Sequence, residues 1–161
     1  MLKKCLWVLC VLLMSEFHCT YAEEIDPNLF IKKSFVILFA SKDYQYALQI
    51  AKQVAEETKI PLNLRGLSKH TSNKLTFSKQ ACRDAGFEHP CYLTRAYDED
   101  GEYVTIDWSN GFEDFQPGYF IVTAAGGKPG DAQLAKTLRR VKSVFPDAYV
   151  KTTRVYIGCM H

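Results

Sequence analysis

The chain carries almost no surplus charge: 20 lysines and arginines stand against 18 aspartates and glutamates, a formal net charge of +2. A nucleic-acid partner asks for a concentrated basic surface, and none stands out. After residue 14 there is no further apolar run long enough to cross a bilayer as a helix. No nucleophile elbow, oxyanion loop or phosphate-binding loop accompanies the cysteines and the four histidines. Catalysis is therefore not expected, and neither is a cofactor. Low-complexity segments are missing too, and the six prolines fall singly.

What is present begins with a leader. Lys3 and Lys4 precede the apolar run Leu6 to Met14, which is too short for a membrane span. The following polar stretch closes on Thr20-Tyr21-Ala22, whose small residues suit a signal-peptidase site. Residues 1–22 are read as a cleaved signal peptide, which places the rest in the periplasm. A lipid anchor on Cys19 is the rival reading, and Glu16-Phe17-His18 is a poor approach to a lipidated cysteine. Residues 23–161 are long enough for one domain with a real core.

Two strand–helix–strand units organise that domain. In the first, Ser34 to Ala40 is a continuous apolar run. Ser41 or Asp43 can cap the helix that follows, and Ala47, Ile50, Ala51, Val54 and Ala55 share one side of it. Pro61 ends this helix, and Leu62 to Leu67 reads as a short returning strand. In the second, Tyr119 to Ala125 is a strand and Asp131 an N-cap. Leu134, Leu138, Val141 and Phe145 then make a helical stripe opposite Lys136, Arg139, Arg140 and Lys142. Pro146 stops that helix, and Ala148 to Gly158 is a closing strand rich in Val, Thr and Tyr. The repeat predicts an α+β, ferredoxin-like sandwich: a mostly antiparallel sheet with both helices on one face.

The residues between the units, Ser68 to Pro117, carry the candidate chemistry. Ser68 to Lys79 is polar and reads as loop, and Gln80 to Phe87 as a helical turn. Cys91 to Tyr97 and Glu102 to Ser109 read as a hairpin with the acidic tip Asp98-Glu99-Asp100-Gly101. A solvated turn is the plain reading of that tip, and a surface for a basic partner is the sharper one. Cys82 and Cys91 enclose eight residues and suit a disulfide in an oxidising compartment. The alternative is a metal site drawn from Cys82, His89, Cys91, Cys159 and His161: His-Pro-Cys and Cys-Met-His supply suitable ligand types, but neither has the tight two-residue-spaced pair of a strong zinc signature. A cysteine nucleophile activated by His70, His89 or His161 is a third reading. Of the crowded aromatics, most are expected in the core. Trp108 first, with Tyr97 and Tyr103, is the candidate for an exposed ring that stacks on a sugar or partner.

The opening run FVILFAS and the closing run RVYIG, Arg154 to Gly158, resemble the two end strands of the sporulation-related repeat (SPOR) domain. That resemblance implies a periplasmic module that binds peptidoglycan glycan strands stripped of their peptides. Two departures stand out: the polar residue of the opening strand is Ile37 in one unit and Val122 in the other, and the Gly-Ser after it becomes Phe39-Ala40 and Ala124-Ala125. The expected function is thus a non-enzymatic, SPOR-like binding module that contacts peptidoglycan glycan or an envelope protein. The alternative is a periplasmic immunity or inhibitor protein against a cell-wall-degrading toxin, working through Asp98, Glu99 and Asp100.

Overall fold

The computed structural model of the chain describes residues 29–71, 74–97 and 100–157. The leader assigned to residues 1–22, the tip residues Asp98 and Glu99, and Cys159 and His161 lie outside the described residues.

Strand β1, Phe30–Ser41, is longer than its apolar run because residues 30–33 also pair with the far end of the last strand. Alternation sends Phe35 and Ile37 to one face of the sheet and Val36 and Leu38 to the other, all four buried. Helix α1, Tyr44–Thr58, starts at Asp43, whose Oδ1 accepts from Gln45 N at 2.8 Å. Ser41 Oγ accepts from Asp43 N in turn, so both candidate caps are used. The helix ends at Lys59, whose φ of 59° turns the chain before Pro61 is reached. In the second unit, β5 is Phe120–Gly127, α3 is Ala132–Lys142 and β6 is Tyr149–Tyr156. Asp131 caps α3 through Gln133 N, 2.8 Å away. Leu134 and Val141 of its stripe are buried, while Leu138 and Phe145 are half-buried. Thr137 is fully enclosed beside them.

The main sheet has the order β4-β5-β1-β6, where β4 is Gly101–Trp108, and every neighbouring pair is antiparallel. The connection from β1 to β4 passes over β5, and the connection from β5 to β6 passes over β1. Helices α1 and α3 lie in those connections and share one face of the sheet. There they enclose the larger core with Val36, Leu38, Val104, Ile106, Phe120 and Val122. The chain is therefore α+β with a mostly antiparallel sheet, as expected.

The helix-free face is covered by the protein's own connections. Residues 109–119, between β4 and β5, form a strap that lays Phe112 and Phe115 on Phe35, Ile37, Ile121 and Val155. Its base is fastened twice: Ser109 N donates to Tyr119 O, and Ser109 Oγ accepts from Tyr119 N, both at 2.9 Å. Its far end donates from Glu113 N to Arg154 O on β6.

Three sequence expectations change between the units. Leu62 to Leu67 is not a strand. Leu62 makes one isolated parallel bridge to Val104, and the left-handed Arg65 and Gly66 then turn the chain off the sheet. Cys91 to Tyr97 does not form a hairpin with β4; residues 91–94 are irregular and Arg95–Tyr97 is a single 3₁₀ turn. The reason is competition for backbone groups. Asp107 takes the Arg95 N–H, Thr76 Oγ1 takes the Cys91 N–H, and Phe77 N bonds Cys91 O. The ladder partner of β4 is thus β5, and its other edge carries only the bridge to Leu62 among the described residues. Finally, the polar Ser68 to Lys79 holds a small sheet, β2 (Ser68–His70) against β3 (Lys74–Thr76), ahead of the short helix α2, Lys79–Asp84.

Cys82 and Cys91 are joined in a disulfide, with Cα atoms 5.8 Å apart. The bond closes the loop after α2 and, through Cys91, ties it to β3. Replacing both cysteines by alanine is expected to lower stability by about 2–3 kcal/mol. Denaturant melts of oxidised, reduced and substituted protein check this, and coincident curves would mean that the staple constrains nothing.

Candidate functional site

Two neighbouring constellations lie at β4, one partly open to solvent and one closed. The open one is built around Arg95. Its 3₁₀ turn lays the guanidinium on the helix-free face over Gly126, where a Cβ would stand 3.1 Å from Arg95 Nε and 3.0 Å from the Phe35 ring. A side chain there would oblige Phe35 or Arg95 to give by a few tenths of an ångström. Nη1 donates to Thr123 Oγ1 at 2.7 Å and to Tyr103 O at 3.3 Å, and Nη2 donates to Gly101 O at 3.3 Å. The guanidinium carbon sits 4.0 Å from the centre of the Tyr103 ring, a cation–π contact that fixes the ring. Arg95 is 2% exposed, so it positions Tyr103 rather than reaching solvent. Tyr97, at the end of the same turn, is 38% exposed.

Beside these rings, Asp100 accepts from Lys33 Nζ at 2.7 Å. Glu102 points to the other face, where Thr137 Oγ1 donates to it at 2.6 Å and Arg140 at 3.2 Å. Asp100 and Tyr103 thus lie at the start of β4, and Tyr97 closes the turn that carries Arg95. Trp108 is not there. It lies at the opposite end of β4, 9% exposed, packed in the helix-side core with its ring 4.9 Å from that of Phe120. The expectation of an exposed Trp108 is corrected: strand parity puts residues 104, 106 and 108 under α1. Ile37 and Val122, the two departures from the SPOR pattern, are buried on opposite faces of the sheet. Neither meets solvent.

The closed constellation centres on Asp107, fully buried on β4. Its Oδ1 accepts from Arg65 Nη2 at 2.8 Å, Tyr92 OH at 2.9 Å and Arg95 N at 3.0 Å. Arg65 also donates to Leu93 O, and Trp108 N donates to the Tyr92 hydroxyl at 2.8 Å. One carboxylate thus joins the turn after α1, the irregular 91–94 segment and the sheet. Burial, with the Asp107 charge beside it, holds the Tyr92 hydroxyl well above the ordinary tyrosine value of 10.0. All three donors go to Oδ1, while Oδ2 is buried without a hydrogen-bond partner among the described residues. Enclosed inside the frame, the arrangement reads as a fastening rather than an open site. Sequence reasoning passed over Asp107, although a carboxylate within the apolar run VTIDW signals a buried, paired charge.

Elsewhere the rings of His70 and His89 meet, and their centroids are 5.5 Å apart. The disulfide removes Cys82 and Cys91 from the ligand set considered with His89. Among the described residues, no group of three or more histidines, cysteines and carboxylates is placed to hold a metal ion, and no helix is long and apolar enough to cross a membrane. No protein-family model, curated protein or solved structure matches the chain.

Proposed function

We propose that this chain is a non-enzymatic, exported binding domain of the ferredoxin-like, SPOR-like kind, and that it contacts peptidoglycan glycan through Tyr97 and Tyr103. The observation that carries this reading is the pair of tyrosines beside buried Arg95: one ring is clamped in place and the other stands 38% exposed. A sugar ring stacks on an aromatic face that is already held still, because little rotamer entropy is then lost on binding. The strand order also supports the architecture. Two strand–helix–strand repeats that share one sheet produce an antiparallel arrangement with the first strand at its centre, as β1 is here. The broad helix-free platform is taken by the strap, so contact is confined to the strip near the start of β4.

The inhibitor reading needs an acidic tip free to enter a basic cleft. Asp100 is paired with Lys33 and Glu102 with Arg140, which leaves that reading dependent on Asp98 and Glu99. The glycan reading takes precedence.

Purified sacculi stripped of peptides test it. The protein should sediment with them, and Tyr97→Ala should weaken retention several-fold, in keeping with about 0.5–1.5 kcal/mol for one aromatic contact. Failure of the folded wild-type protein to sediment at low and moderate salt, with circular dichroism confirming the fold, would end the glycan proposal.

A further inference from the structure

We infer that His70 and His89 form a two-imidazole site for a borderline divalent cation of the first transition row, with Zn²⁺ as the natural probe. The site lies outside the main sheet and owes nothing to the tyrosine surface. His70 closes β2, and His89 lies in the loop sealed by Cys82 and Cys91. Those two segments are fixed to one another through β3. His70 pairs with Lys74 in the small ladder, while Cys91 N donates to Thr76 Oγ1 and Phe77 N to Cys91 O just beyond it. Both imidazoles are therefore mounted on a single local frame, and both are half-buried. That limits the entropy lost when a cation brings them together.

The spacing favours a shared ion. With metal–nitrogen bonds of about 2.0–2.1 Å, a ring centre stands about 3.2 Å from the metal, and two such rings at a tetrahedral angle have centres about 5.2 Å apart. The observed separation is 5.5 Å, with the rings perpendicular. A shared ion requires one nitrogen of each ring to turn toward a common point, and the ring spacing is short enough for one ion to bridge them. Each imidazole has a second nitrogen, which can hold a hydrogen bond that orients the ring while the first ligates. Two protein ligands leave the remaining positions of the ion to solvent or to a donor from another molecule, as in an open site.

Calorimetric titration of tag-free protein with Zn²⁺ at pH 7.5 provides the test. One ion per chain is expected, and His70→Ala and His89→Ala should each weaken it by at least about tenfold, because the ligands act together. Imidazole resonances of both residues should shift in the wild type on addition of the ion. Circular dichroism and melting of the two variants should match the wild type without metal, since neither ring belongs to the main core. An absence of binding, or binding that survives either substitution unchanged, would overturn the site.

Discussion

Asp107→Ala is expected to destabilise the protein by about 3–5 kcal/mol, as for removal of one partner from a buried ion pair. The loss does not equal the strength of the Arg65 contact. It comes from what stays behind: a guanidinium side chain only 5% exposed, a tyrosine hydroxyl and the Arg95 N–H, all of which gave hydrogen bonds to one oxygen. Asp107→Asn should recover part of the loss by keeping an acceptor while removing the charge. Exposed pairs set the scale, and Arg140→Ala, which breaks the pair with Glu102, should cost no more than about 1 kcal/mol. Urea melts of the three variants decide the matter, and equal costs for Asp107→Ala and Arg140→Ala would refute the central role of the carboxylate. Tyr92 adds a pH signature. Its folded pKa is raised, so its contribution is complete below the unfolded value of 10.0 and is lost as pH rises toward the folded one. Stability should therefore fall above about pH 10, and Tyr92→Phe should flatten that decline.

Phe112→Ala is expected to cost a further large amount, about 3–5 kcal/mol, as for truncation of a buried phenylalanine. Phe112 is 4% exposed and stands edge-on to Phe35, with centroids 5.3 Å apart, under a strap whose base is held independently by Ser109 and Tyr119. The base should stay closed while the apolar face beneath opens. Hydrogen exchange should then quicken at Ile121 and Val155 more than at Val36 and Val104, which face the helices. Phe115→Ala, at a half-buried position, should cost less. Uniform acceleration across both faces would mean that the strap is not a separate layer.

The two repeats were legible because their signals are local. Asp43 and Asp131 cap as their positions suggest, and the apolar stripes choose the buried helix faces. The segment between them resisted because its backbone is organised by distant side chains. Nothing near Cys91 to Tyr97 announces that Asp107 will claim the Arg95 N–H, or that Thr76 will claim that of Cys91. Strand propensity alone therefore produced a hairpin that does not form. The candidate surface was half legible. Tyr97, Tyr103 and Asp100 come from one stretch, whereas Lys33 and Gly126 are brought to it by strand pairing. Trp108 was misplaced by one step of parity along β4, and a sequence does not reveal which parity faces inward until the neighbouring layers are known.

The central position of β1 also bears on how the chain reaches its native state. The strand made first has as its two neighbours the last two strands of the main sheet, so that Phe30 meets Tyr156 and Ser41 meets Phe120. The edge of Val36-Ile37-Leu38-Phe39 toward β5 cannot be paired until Ala125 is available, and the edge toward β6 not until Val150. Such non-local pairing slows folding, since chain closure is unfavourable until the contacts form. Meanwhile an apolar, β-prone segment stays open to other chains. A nascent or truncated polypeptide ending before Tyr149 would leave one side of β1 bare, and its most aggregation-prone sequence would be the one that lies deepest in the finished protein.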